Sequence, residues 1–226
     1  MHRADEKLLA TDMKVNTDEL EWQSFKNELP FPRDMIEAER IYISSFPPEE
    51  RMEWASLTSA VWDERGRIDI ARYQSHVVGF AFTEHLNLAG YHFLSYLAVT
   101  NKLRGFGLGG WMLGRLREAA EDDGRKGIVF DVEHPGATPR EEVQQVCRHR
   151  MEFYRRHGAH LLSADWDYRV PLGNRYIRRH LMVLPVNGYA PPCREELASV
   201  VTLIMTELYR LPAADQNLQR MIKLFV

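Results

Sequence analysis

Apolar positions change period along this chain, and the changes mark its elements. Residues 1 to about 22 show no clean period, so an amino-terminal arm or fraying helix is expected there, with the fold beginning near Trp22. From Arg33 the chain places Ile36, Ile41 and Ile43 among good helix formers. Pro47-Pro48 breaks that pattern before a second helical stretch runs to Trp62. After Gly66 come three runs rich in β-branched and aromatic residues, RIDIARY, HVVGFAFTEHL and YHFLSYLAV, which read as an antiparallel meander. A glycine-rich stretch, RGFGLGG, then leads into Met112, Leu113, Leu116 and Ala119 or Ala120 at helical spacing. KGIVFDVEHP reads as a strand. Residues 139–158 read as a helix entered through Thr138-Pro139 and ended by Gly158, and strands are expected at Leu161–Val170 and Tyr176–Val186. The order β, β, β, α, β, α, β, β predicts an α/β chain. Beyond Pro191-Pro192 two more helical stripes form a carboxy-terminal extension, expected to cover the sheet or a second subunit, which leaves a homodimer open.

Length and composition narrow this only a little. With 226 residues, 45% hydrophobic and 27% charged, the chain is ordinary globular material for one generous domain with an extension. A net charge of −3 offers no general attraction to nucleic acid or anionic lipid, so neither is an expected partner. The amino terminus lacks the apolar core of a signal peptide and no stretch approaches eighteen apolar residues, so a cytoplasmic protein is expected. The cysteines Cys147 and Cys193 form no Cys-x-x-Cys pair, and the nine histidines include no His-Glu-x-x-His, so no metal is expected. Trp54, Trp62, Trp166 and Tyr168 suit either an acceptor pocket or the core, and the core is the commoner use.

The glycine stretch carries the chemistry. Gly105, Gly107, Gly109 and Gly110 lack side-chain bulk, and the helix behind them presents unpaired N–H groups and a partial positive charge, a setting that suits a phosphate. The GK[ST] ending of a Walker loop is missing, and the preceding strand belongs to a meander rather than opening a βαβ unit. With Arg104, Gly107 and Gly109 in register, the segment Arg104, Gly105, Phe106, Gly107, Leu108, Gly109 and Gly110 resembles the coenzyme A signature of the GNAT superfamily of N-acetyltransferases. Phe153-Tyr154-Arg155-Arg156-His157-Gly158 is similar to that family's helix ending in a tyrosine shortly before a turn. The resemblance spans roughly residues 24 to 186, and it departs from the family at Cys147, Arg150 and Ala159.

The resemblance implies an α+β fold with a mixed, mostly antiparallel central sheet flanked by helices. It divides the chain into an arm (1–22), an acetyltransferase domain (23–190) and the helical extension (191–226). It also implies acetyl-CoA as acyl donor, an amine-bearing acceptor, and backbone contacts from Leu97 and Val99 on the strand before the loop. By the same resemblance Tyr154 is the general acid, a role open to a phenol with a pKa of about 10. For the base, Asp131 and Glu133 alternate with Ile128, Phe130 and Val132, so both acids share one strand face, and Glu84 closes another apolar strand. Glu133, Glu84 and Asp131 rank in that order, and each is equally suited to a solvent-facing strand end. The expected activity is acetyl transfer to a primary amine of a small molecule, peptide or protein, the alternative being an acyl-CoA sensor with the same fold.

Overall fold

A computed structural model describes residues 16–225, so the expected arm falls outside the described residues as far as residue 15. The elements are β1 (Leu20–Phe25), α1 (Pro32–Ser45), α2 (Trp54–Trp62), β2 (Gly66–Tyr73), β3 (His76–Leu86) and β4 (Tyr91–Val99). They continue with α3 (Leu108–Asp122), β5 (Gly127–Glu133), α4 (Glu141–Arg156), β6 (His160–Leu161), β7 (Arg169–Leu172), β8 (Arg175–Pro185), α5 (Arg194–Leu203) and α6 (Gln216–Ile222). A π-helical turn, Ile204–Leu208, continues α5. Among the described residues no helix is long and apolar enough to cross a membrane.

The sheet runs β1-β2-β3-β4-β5-β8-β6, with β7 also paired to β8. All pairs are antiparallel except β4 with β5. This is the mixed, mostly antiparallel α+β sheet expected from the resemblance. Two strands differ from the sequence reading. β1 begins at Leu20, and its apolar pattern is faint because Phe25 alone in it is buried, as befits an edge strand. The strand expected at Leu161–Val170 is split into β6 and β7. Between them Ser163 accepts the amide of Leu181 on β8 at 2.8 Å, so a side chain takes the place of a ladder carbonyl.

Alternation along the strands sorts the helices onto two faces. Val78, Ala81, Leu94, Ile128, Phe130 and Val132 pack under α3 and α4. On the opposite face Phe80 and Phe82 pack against α1 and α2, while Val129, Leu181 and Val183 pack against α5, the π turn and α6. The carboxy-terminal helices therefore cover the sheet, the first of the two expected roles. In α1 the core is met by Ala38, Ile41 and Tyr42, whereas Ile36 and Ile43 stay exposed.

Two irregularities in β4 prepare the site. Phe82 opposes Tyr96 while Thr83 opposes Leu94, which leaves Ser95 as a bulge residue that re-aims the strand. β4 and β5 are in register only over Tyr91–Phe93 and Gly127–Val129, after which the two strands part. From Leu94 to Val99 the β5-facing edge of β4 has no strand partner, and the sheet is open from one face to the other.

Candidate active site

The parting of β4 and β5 is a cleft of about 480 Å³. Its walls include Leu97, Val99 and Arg104 from β4 and the turn after it, Asp131 and Glu133 from β5, Arg150 and Tyr154 from α4, and Glu84 from β3. Five of these eight residues are side chains that sequence reasoning assigned to acid–base or coenzyme roles, and they arrive from four separate elements. A rim from Glu49 to Met52 lies across one mouth, held down where Tyr96 donates to the carbonyl of Glu50 at 2.9 Å and Tyr42 to that of Met52 at 3.0 Å.

At the other mouth stands the glycine stretch. Helix α3 starts at Leu108, so Gly109 and Gly110 lie in its first turn and Gly107 is its N-cap, with no side chain capping the amides. Gly105 and Gly107 hold φ of 86° and 85°, a backbone that favours glycine, and a Cβ on either would meet nothing within 4 Å. An uncapped helix end of this length with open space before it fits an anion such as a pyrophosphate. The next two glycines serve packing: a Cβ on Gly109 would sit 3.2 Å from Phe153 Cζ, and one on Gly110 would sit 2.1 Å from His157 Nε2. Those two let α3 approach α4. Arg104 donates from Nε to the carbonyl of Val99 at 3.2 Å and from Nη2 to Ser45 Oγ at 3.2 Å.

The titratable groups divide by face. Tyr154 packs on Phe130, ring centroids 4.4 Å apart, beneath α4, and burial pushes its phenol up to about 12 against the pull of Arg150. Glu84, Asp131 and Glu133 belong to the opposite face, and their surroundings differ sharply. Burial raises Glu133, but the paired Arg150 guanidinium, a backbone hydrogen bond and Arg179 together outweigh burial and hold the carboxyl below its ordinary range. Asp131 is pushed up by burial while accepting the Tyr209 hydroxyl at 2.8 Å and facing Arg179 Nη1 at 3.3 Å. Glu84 is also raised by burial. Its neighbours supply one short bond, from Ser95 Oγ at 2.5 Å, and only distant positive charge from Arg65 and Arg210.

Several wall residues were given no acid–base role from sequence. Arg179, which joins Asp131 to Glu50 at 2.7 Å, and Tyr209 from the carboxy-terminal extension carry no motif. Ser95 owes its position to the bulge. Arg150 was visible only as a departure from the family pattern. None of Trp54, Trp62, Trp166 and Tyr168 lines the cleft: Trp62 is 58% exposed, and the others pack in the two cores on the α1 and α5 face.

An open mixed sheet parted beyond its single parallel pair, with a glycine-entered helix at the gap and a tyrosine helix beside it, is the architecture of GNAT-type acetyltransferases. Solved structures share it. A Bacteroides thetaiotaomicron protein assigned to the GNAT family of acetyltransferases superposes with TM-score 0.64 at 23% identity, over 85% of this chain and 99% of its own. The ribosomal-protein-S18-alanine N-acetyltransferase of Escherichia coli gives 0.54 at 18% identity, over 77% and 98%. A GNAT-family protein of Desulfovibrio desulfuricans gives 0.54 at 15% identity, over 74% and 99%. The chain has the GNAT fold. No protein-family model matches it, and no curated protein does.

Proposed function

We propose that this protein moves the acetyl group of acetyl-CoA to a primary amine, with Glu84 as general base and Tyr154 as general acid. One observation carries the reading: the cleft passes through the sheet, with a tyrosine on the α3 and α4 face and an unpaired carboxylate on the other. The acetyltransferase unit is residues 23–190, and the extension 191–226 completes its wall through Leu208 and Tyr209.

The α3 amino terminus, Gly105, Gly107 and Arg104 hold the donor's pyrophosphate, and the free β4 edge at Leu97 and Val99 offers backbone groups to its amide arm. Acetyl-CoA supplies the acyl group on a thioester. Glu84 takes a proton from the ammonium of the acceptor, which frees the nitrogen lone pair. The N–C bond forms as the C–S bond breaks, and Tyr154 gives its phenolic proton to the leaving sulfur. The second nitrogen proton passes to water, Tyr154 is reprotonated from water, and Glu84 gives up its own proton, so one proton is released overall. The order of the two leading carboxylates is thus reversed from the sequence ranking, because Glu133 is neutralised by Arg150 and Glu84 is not.

The test is acetyl-CoA with a broad amine panel, followed by release of free thiol. Tyr154→Phe is expected to slow turnover by about 10²-fold or more while the rise in melting temperature given by CoA stays. An unchanged rate removes Tyr154 from the acid role. Stabilisation by acetyl-CoA without turnover of any amine favours the sensor, and no stabilisation by any acyl-CoA refutes both readings.

A further inference from the structure

The walls of the cleft are charged, and the guanidiniums that stand among its acids are paired with them. Arg179 is spent between Asp131 and Glu50, and Arg150 is spent on Glu133. Arg51, on the rim, donates to the carbonyl of Ile43 at 3.3 Å, and Arg104, beside the glycine stretch, to Val99 and Ser45, so both keep their charge at the mouths of the cleft rather than beside Glu84. Arg179 Nε is buried without a partner, but it lies in a cluster whose two carboxylates already exceed its single charge. A second anion lying beside Glu84 finds no guanidinium in contact there, because Arg150 and Arg179 are already paired with other carboxylates. It would also lie in the field of Glu84 and Asp131, where an unpaired carboxylate is costly.

Glu84 has the opposite character. It faces the cleft with a hydroxyl donor on one oxygen and no cation in contact among the described residues. An ammonium is what this position lacks. The surface next to it is apolar. Phe93, the register partner of Glu84, belongs to the core that Ile177 and Leu208 border, and these two, with Leu172, open half-buried onto the cleft from β8, the π turn and β7. The same cleft, of about 480 Å³, has also to admit the thioester arm, which leaves room for one small body.

The geometry points to an acceptor that is a small monoamine: its ammonium docks on Glu84 and its body is uncharged and apolar, with no carboxylate beside the nitrogen. This inference rests on the acetyltransferase reading for its chemistry but not for its docking contacts. Free amino acids are disfavoured by the missing cation, and linear diamines by the apolar wall, which would have to desolvate their second charge.

Three matched amines separate these cases on the full chain: 2-phenylethylamine, L-phenylalanine, which adds only the carboxylate, and 1,4-diaminobutane, which adds a charge and removes the ring. With acetyl-CoA, kcat/KM for 2-phenylethylamine is expected to exceed that of the other two by about tenfold or more. Leu208→Ala is expected to raise KM for 2-phenylethylamine several-fold more than KM for propylamine. Equal or better use of L-phenylalanine or of the diamine overturns the inference. So does an unchanged KM in Leu208→Ala, if that variant melts like the parent. Docking is read separately, as an increase in melting temperature by 2-phenylethylamine that Glu84→Gln abolishes. Should CoA stabilise the protein while no amine does so or is acetylated, the acceptor assignment falls and the donor site stands. Should the amine stabilise it and CoA not, the docking contacts stand and the acetyl-transfer reading falls.

Discussion

Glu84 shows how one side chain can be out of keeping with its row. Phe80, Phe82, Glu84 and Leu86 share a face of β3, and the three apolar members are fully buried. Alternation in the sequence exposes the misfit, since a carboxylate stands where a core residue is due. The same alternation exposed Asp131 and Glu133, and could not tell the three apart. What tells them apart is Arg150, seventeen residues from Glu133 on a helix whose rotation about its axis no local pattern fixes. Replacement of Glu84 by Gln is expected to have two effects of opposite sign. Activity should drop by about 10²-fold or more, together with loss of the acidic limb of the pH–rate profile. Because burial raises the folded pKa, the folded state holds this proton over a window in which the unfolded chain has released it. Stability is therefore lost as pH climbs through that window, and Gln restores it at pH 7, by about 2–4 °C in melting temperature for each kcal/mol recovered. A Gln variant that melts lower than the parent contradicts the unpaired carboxylate.

Among the elements, β2 and α3 are tied by a buried polar knot on the side away from the acceptor. Arg67, fully buried, donates to Asp69 at 2.9 Å and to Asp123 at 3.0 Å, and His92 Nε2 lies 2.9 Å from Asp123. Arg67→Leu removes the guanidinium that joins these two carboxylates, leaving Asp69 without a cation in contact among the described residues, and is expected to destabilise the fold by about 3–5 kcal/mol, measurable by urea unfolding. A loss below about 1 kcal/mol would show the knot to be dispensable. At this scale the sequence was legible wherever apolar period and punctuation agree: β2 to β4, α3, β5 and α4 all fall where the spacing predicts. It was not legible at β1, where an edge strand buries too little to show a period, or at the β6–β7 break, where Ser163 Oγ substitutes for backbone. The bulge at Ser95 is equally silent, because an extra residue in a strand changes pairing without changing composition.

For the molecule as a whole, the carboxy-terminal helices are part of the core rather than an appendage. Leu197, Val200, Val201, Ile204, Met205, Leu218 and Met221 are buried on the sheet face that carries Val129, Leu181 and Val183. At about 1.5–3 kcal/mol for each large apolar side chain, these seven contribute on the order of the whole net stability of a typical domain, about 5–15 kcal/mol. Ending the chain at residue 188 is accordingly expected to abolish the cooperative thermal transition seen by calorimetry, and a truncated chain that melts sharply would refute this. The fold class was legible at this scale because the order of elements and the glycine signature agree. The acceptor wall was not, since Leu208 and Tyr209 reach the cleft only through the tertiary return of a segment that lies outside the family resemblance.

The short register between β4 and β5 bears on motion as well as on shape. Tyr91–Phe93 and Gly127–Val129 are the three rungs that join the two halves of the sheet, β1 to β4 on one side and β5, β8 and β6 on the other. Two plates fastened along so short a seam depend on α3, which packs under both, to hold the cleft between them in shape. A ligand bonded along the free edge of β4 adds rungs to the seam, so amide hydrogen exchange from Leu94 to Val99 is expected to slow when the cleft is filled.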